Sequence, residues 1–465
     1  PNTSAYKVDN PKELCPFCFE NVRHFARHLF RKHSDENVVQ KILEMSPKNN
    51  ERRSAVSALR KKANFLLKQE KNQLIPVRSN NRNSLETVTE KSYVPCSHCL
   101  GYFKTTYLWR HNKICKSKMS KEPNKNSTKI QHLTESQTFM VSAGLLGNYL
   151  NKSRLKNEVF NIMRPDEISL AAKSDALIVL YGESCLNKHK RKQINVVVSN
   201  KLREMGRLKL ALQKSTSIQH LIDALQPENY EQILAAAKVI SGYDPETKTF
   251  KASSLALHLG TNLKFLCDIA RKALITKNVC FQEQLKNREQ YLKGISELRE
   301  MIQSHWCNDL ASLANKVLTE YKAQKPKLLP LTEDIQKFNS YVSSQAEKAF
   351  DNLQNGTNVA ENYKILAECA LSIVLIFNRK RIGEVQFLDI KSYESNNSLG
   401  SNQEECLSAL TTLEKTISAA YKRVVVLGKG SKPVPILFTK KMQTYMDLLL
   451  KIRKSTDVVP KTNNY

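Results

Sequence analysis

The sequence predicts a mainly α, multidomain protein, and three observations predict it. Cysteine and histidine crowd into two short windows near the N-terminus, each too small to fold on an apolar core alone. Apolar residues recur every three to four positions almost without interruption from about 139 to 325. One pair of strand-like runs, Val424 to Leu427 and Val434 to Phe438, flanks Gly428 and Gly430 and reads as a single β-hairpin. The expected architecture is two small metal-folded modules, a helical middle, and a C-terminal α+β segment with one hairpin.

The 465 residues carry a net charge of +29. An enzyme for small neutral substrates has no need of that excess, whereas a polyanion partner does, because lysine and arginine on phosphates release condensed counterions. The charge is uneven: residues 1–130 hold 26 Lys/Arg against 11 Asp/Glu, about half the excess in under a third of the chain. No apolar run reaches the ~18 residues of a membrane span, so no membrane partner is expected. The first residues, PNTSAYKVDNPKEL, are too polar for a signal peptide. Without one, the eleven cysteines point to a reducing compartment, where a Cys-x-x-Cys pair binds metal more often than it forms a disulfide.

The first window is LCPFCFENVRHFARHLFRKH. Cys15 and Cys18 flank two residues, His28 follows after nine more, and His33 after four. A Cys-x-x-Cys turn places two thiolates together, and two histidines so spaced share a helix face, giving four ligands with tetrahedral reach for a structural Zn2+. Val22, Phe25 and Leu29 offer only a tiny core, so the ion must supply most of the folding energy. His24 is a third histidine one turn before His28; His28 and His33 are preferred because RHLFRKH resembles the helix of a Cys2His2 or BED-type finger. The gap of nine is shorter than the usual ~12. The second window, VPCSHCLGYFKTTYLWRHNKICK, holds Cys96, Cys99, His111 and Cys115 in a Cys2HisCys spacing, with Phe103 and Leu108 at core positions. Two structural zinc ions are therefore expected. The remaining cysteines, Cys185, Cys267, Cys280, Cys307, Cys369 and Cys406, are isolated and read as ordinary packing residues.

Cations stand beside both ligand sets: Arg27, Arg31 and Lys32 in the first, Lys104 and Arg110 in the second, and more in ERRSAVSALRKK (51–62) and in 115–129. They point to DNA as partner and hence to the nucleus. Residues 72–92 and 117–137 read as flexible spacers, and 37–71 as helical connector. In the helical middle the strongest basic element is NKHKRKQ, where Lys188, Lys190, Arg191 and Lys192 can follow a phosphate backbone. No nucleotide-binding loop, His-Glu-x-x-His or Gly-x-Ser-x-Gly occurs. The expected boundaries are a finger at 12–36, a helical or flexible linker at 37–91, a finger at 92–117, a basic linker at 118–138, a helical region at 139–326, and the α+β segment at 327–465.

In that last segment Thr332 is expected to cap a helix with Ile335, Phe338 and Val342 on its apolar face, and a more apolar helix over 361–377 ends in FNRKRIGEVQFL. Arg381 and Glu384 form an Arg-x-x-Glu at the end of this buried helix, and Gly428-Lys429-Gly430 sits at the hairpin tip. In this order the elements resemble the start of a tyrosine recombinase (phage-integrase) catalytic domain. Two fingers ahead of a helical region narrow the resemblance to the Crypton-type recombinases of eukaryotic DNA transposons and genes derived from them. It covers about 330–440 and, more loosely, 139–325, which then corresponds to a core-binding region. The resemblance implies a Tyr hydroxyl attacking a scissile DNA phosphate to give a 3′-phosphotyrosine. It implies Arg381 on the non-bridging oxygens and pointing inward, Glu384 orienting Arg381, and Lys429 as general acid.

The family's remaining groups are a His-x-x-Arg, a later His or Trp, and the nucleophilic Tyr. In this sequence the last histidine is His305, the single arginine after Lys429 is Arg453, and Tyr445 lies in an amphipathic stretch and reads as packing. The chain as given is thus expected to bind DNA without cutting it, the catalytic domain being partial. Two alternatives stand beside this: a fragment of an active DNA recombinase whose Tyr nucleophile lies beyond residue 465, and a zinc-finger adaptor for other protein chains, which an unfinished domain edge would also attract.

Overall fold

The structure, a computed structural model, describes residues 13–71, 74–77, 92–115, 117, 128–143, 150, 153–189, 194–326, 329–395, 408–428, 432–459 and 463. The protein is mainly helical, with four two-stranded antiparallel sheets among the described residues. It divides into two compact units, 1–324 and 325–465, against a boundary of 326/327 expected from the sequence. Among the described residues no helix is long and apolar enough to cross a membrane.

The first unit begins with two finger modules, each a short hairpin followed by a short helix. Glu13–Leu14 pairs with Asn21–Val22 ahead of the helix Phe25–Lys32, and Tyr93–Pro95 pairs with Tyr102–Lys104 ahead of the helix Leu108–Ile114. Between them run the helices Asn37–Leu43 and Asn50–Lys71. The longer one packs on the first module through Leu59 and Ala63, both buried beside Phe25, Leu29 and Ile42. Arg60 fastens it with an ion pair to Glu13 at 2.9 Å. Further along the same helix, Phe65 stacks 6.1 Å from Tyr102 of the second module. The connector is therefore a shared wall for both fingers.

A second helix, Lys129–Ser142, corrects the reading of 117–137 as spacer and 118–138 as linker. It starts at a capping box in which the Thr128 hydroxyl accepts from the Gln131 amide N–H and Gln131 Oε1 accepts from the Thr128 N–H. Its buried face is mostly polar, with Thr134, Ser136, Gln137 and Thr138 beside Val141, so hydrophobic periodicity could not reveal it. Ser136 donates to the Pro95 carbonyl at 2.6 Å, and Leu133 packs into the second finger.

The helical middle holds the main core. It is assembled from Ala176–Asn187, Ile194–Ser215, Tyr230–Ser241, Ser253–Ile275, Arg288–Trp306 and Ser312–Gln324. Asp175 caps the first of these by accepting from Leu177 and Ile178 N–H, and its buried carboxylate also pairs with Lys209 at 3.1 Å. Gly260 lets Ser253–Ile275 approach the indole of Trp306, since a Cβ there would come within 2.4 Å of the ring. Gly242 ends Tyr230–Ser241 at φ 63°, a left-handed turn that feeds the small hairpin Tyr243–Asp244/Thr249–Phe250.

In the second unit the helices Thr332–Gln354 and Val359–Asn378 pack on Lys440–Ser455 through Ala346, Leu366, Ala370, Tyr445 and Leu449. Tyr445 is a packing residue in this core, its ring 5.5 Å from Phe350. Thr332 is the first helical residue, with Leu331 in the capping position, and Ile335 and Phe338 are exposed while Val342 is buried. The hairpin Lys422–Leu427/Pro433–Phe438 is antiparallel with Val424 opposite Ile436, and both side chains are fully buried.

Candidate metal centres and the C-terminal basic site

Both finger modules build the same loop. In the first, Cys15 N–H donates to the Glu20 carbonyl at 2.9 Å and Phe19 N–H to the Cys15 carbonyl at 3.0 Å. In the second, Cys96 N–H donates to Gly101 at 2.9 Å and Leu100 N–H to Cys96 at 2.9 Å. The residue after the second cysteine is left-handed in each, Phe19 at φ 58° and Leu100 at φ 63°. Bulky residues avoid that region at a cost of roughly 1–2 kcal/mol. The same strained turn twice, each time holding a Cys-x-x-Cys, points to what the turn presents.

What it presents are two four-ligand sets, Cys15/Cys18/His28/His33 and Cys96/Cys99/His111/Cys115, with the ligand atoms of each within 4.8 Å of one another. Cys18 Sγ lies 3.3 Å from His28 Nε2 and Cys99 Sγ 3.2 Å from His111 Nε2. Around a tetrahedral ion with ~2.3 Å Zn–S and ~2.0 Å Zn–N bonds, such atoms stand roughly 3.5 Å apart. The residues fit the ion on a second count: His33 Nε2 is buried with no hydrogen-bond partner, the condition of a ligand whose acceptor role is met by metal. His24 is exposed at the start of its helix and belongs to neither set.

The thiols are already biased. The Cys96 thiol donates toward Cys99 and pushes the latter down to about 3, with the His111 ring adding to the effect. Cys96 itself is pushed up by the same bond, and burial pushes up Cys115 and Cys18. Asn112, which the spacing does not single out, is 4 % exposed, and its side-chain amide lies 3.4 Å from Cys96 Sγ, outside the ligand set. Its signal was a polar residue one position after His111, on a helix with little else to bury. With both sets loaded, zinc would close each loop as a structural ion.

The cations named from sequence fall into three groups. Arg27, Arg31, Lys32 and Arg110 are exposed, and Lys104 is half-buried. Arg110 lies over the rings of Tyr107 and Trp109 at 5.5 and 5.3 Å. Lys188 is exposed with its ammonium 3.9 Å above the Phe265 ring. Lys190, Arg191, Lys192 and Lys429 lie outside the described residues.

At the C-terminal basic site, Arg379 ends Val359–Asn378 in a left-handed conformation at φ 52°. Asn378 just before it grips the hairpin: its Nδ2 donates to the Leu437 carbonyl and its Oδ1 accepts from Leu437 N–H, both at 2.8 Å. The short helix Ile382–Gln386 follows, with Arg381 in its capping position. Glu384 Oε1 accepts from Arg381 Nη1 at 3.2 Å and Oε2 from Arg381 N–H at 3.3 Å. A Cβ placed on Gly428 would lie 2.8 Å from Glu384 Oε1, so the strand end carrying Gly428 touches this carboxylate. The expected inward orientation of Arg381 is not what is found: its side chain is 74 % exposed and that of Glu384 only 9 %. The short helix buries the acid and turns the guanidinium out, where a large polyanion could reach it.

Comparison of the chain with protein-family models, with curated proteins and with solved structures finds no match.

Proposed function

We propose that the chain is a zinc-dependent DNA-binding protein of tyrosine-recombinase, Crypton-like ancestry that works in the nucleus. The observation that carries this reading is the pair of four-ligand sets, clamped by one helix, with Arg27, Arg31, Lys32 and Arg110 facing solvent beside them. Metal-folded modules of this size offer little interior for a small substrate, and their cations are free to follow phosphates. A chain of net charge +29 supports the same partner. Mobility shifts of the zinc-loaded chain with random duplex DNA test it. Binding should weaken steeply between low and high salt, and Arg27→Ala, Arg31→Ala and Lys32→Ala together should lower the logarithmic salt slope by about 1 per lost phosphate contact. No shift of any duplex at low salt would refute the reading.

The second reading, a recombinase with its nucleophile encoded beyond Tyr465, is favoured by one feature: Glu384 bonds Arg381 while touching the strand end beside Gly428. There Arg381 would hold two phosphate oxygens, Glu384 would fix its fork, and Lys429 would protonate the leaving oxygen. Sequencing the transcript past Tyr465 discriminates, since an in-frame His-x-x-Arg followed by Tyr is required.

A further inference from the structure

Beside the second metal centre lies an open groove of about 530 Å³, lined by Lys61, Phe103, Lys104, Tyr107, Arg110 and Ile114 among others. Clefts of ~300–1,000 Å³ hold small ligands or one to a few monomers of a polymer. Three elements build it. Lys61 comes from Asn50–Lys71, Phe103 and Lys104 from the strand Tyr102–Lys104, and Tyr107 and Arg110 from the start of Leu108–Ile114. The Lys61 stem is fixed by close packing on Gly101, where a Cβ would meet its Cδ at 3.1 Å.

Two features of the lining select the occupant. Among the described residues no carboxylate lines the groove, and Lys61, Lys104 and Arg110 take part in no ion pair with one. The two aromatic rings differ: Phe103 is stacked on His111 at 3.8 Å, while Tyr107 is 46 % exposed and carries the Arg110 guanidinium 5.5 Å from its ring centre. In a duplex the base faces are hidden against each other, so an exposed ring among cations has nothing to stack on. An unpaired strand offers both a base face and phosphates. We propose that this groove binds single-stranded nucleic acid, one base stacked on Tyr107 and the flanking phosphates held by Lys61, Lys104 and Arg110. The inference rests on the DNA-binding reading and adds the strand state that the second module takes.

The test uses the full zinc-loaded chain, with fluorescence anisotropy of a labelled oligothymidylate and of a labelled duplex. Tyr107→Ala should weaken the single strand by roughly 5- to 150-fold and leave the duplex unchanged. Tyr107→Phe should keep both, and a zinc count of two per chain checks that each variant is folded. The double substitution Lys61→Ala and Lys104→Ala should lower the single-strand salt slope by about 0.7 per lost phosphate contact. If duplex binds but Tyr107→Ala leaves single-strand affinity unchanged, the inference fails and the DNA-binding reading stands. If neither nucleic acid binds, both fail. If polyglutamate displaces the single strand at equal charge concentration, the groove reads charge alone and the inference is overturned.

Discussion

The two candidate metal centres use one loop design and differ in what they are bolted to. The first is backed by Asn37–Leu43 and by the first half of Asn50–Lys71, through Ile42, Leu59 and Ala63. The second is backed by the later part of that helix through Phe65, and also by Lys129–Ser142 through Leu133 and the Ser136–Pro95 hydrogen bond. Val141 of that last helix belongs to the main core of the first unit. The second centre is thus continuous with a core that apolar burial can hold by itself, whereas the first ends in a helical hairpin of modest size. Similar four-ligand sets then have unequal reach: what a metal would fold at the first site stays local, and what it would fold at the second is coupled to the helical middle.

Removing the metal is the strongest way to break this comparison. Structural zinc contributes roughly 10–16 kcal/mol to small modules near neutral pH. Native mass spectrometry should find two zinc ions per chain. After chelation, hydrogen exchange should show protection lost over 13–43 and 93–115 and reduced over 129–142, while Ile194–Ser215 and Ser253–Ile275 keep theirs. Unchanged protection over both fingers would end the metal assignment. Equal loss at 129–142 when only the first site is disabled, by Cys15→Ser, would end the claim of unequal coupling.

Phe65→Ala gives a smaller and more selective effect. The ring is 6 % exposed and lies between Tyr102 at 6.1 Å and Phe139 at 5.5 Å, joining the second finger to the helix that leads into the core. Truncating a buried phenylalanine costs about 3–5 kcal/mol. Zinc should leave the second site faster with a chromogenic chelator, and the first site should release at its original rate. Leu59→Ala should reverse the order, because Leu59 packs in the first module. Equal acceleration at both sites in either variant would mean that the connecting helix acts as one indivisible unit.

Much of this was legible in the sequence, for a physical reason. Metal ligands announce themselves by residue type and spacing, and the eight residues named from Cys15 to Cys115 are the eight that the fold gathers. The hairpin was legible from alternation and glycine, and it forms with Val424 opposite Ile436. What escaped was whatever depends on a polar residue finding a partner. Lys129–Ser142 buries threonine, serine and glutamine, and its hydrophobic pattern is nearly blank. Arg381 is expected to face inward from the resemblance alone, but Arg379 ends the apolar helix before it and Glu384 takes the buried place. The groove beside Tyr107 joins residues more than forty positions apart, and no local pattern signals it.

The smallest expected effect tests the junction itself. Lys173 is fully buried beneath Lys129–Ser142, its ammonium 3.4 Å from Thr138 Oγ1 and 5.5 Å from the Phe160 ring centre. Burial pushes it down to about 8, with Asp166 opposing and Arg203 adding to the shift. In the unfolded chain a lysine titrates near ~10.4. Between these values the unfolded state holds a proton that the folded state has released, so stability should rise as pH increases from about 8 to ~10.4. Below that window both states are protonated and the cost of the buried charge is constant. Lys173→Met removes this cost, and at pH 7 it should raise stability by on the order of 2 kcal/mol and flatten the rise above pH 8. Urea midpoints at pH 7 and pH 10 measure both. A variant less stable than the parent at pH 7 would mean that Thr138 and the Asp166–Arg203 pair, joined at 2.6 Å, stabilise the buried charge more than burial opposes it. The anchor of the second centre would then be an ionic one, and the comparison between the two sites would turn on charge instead of packing.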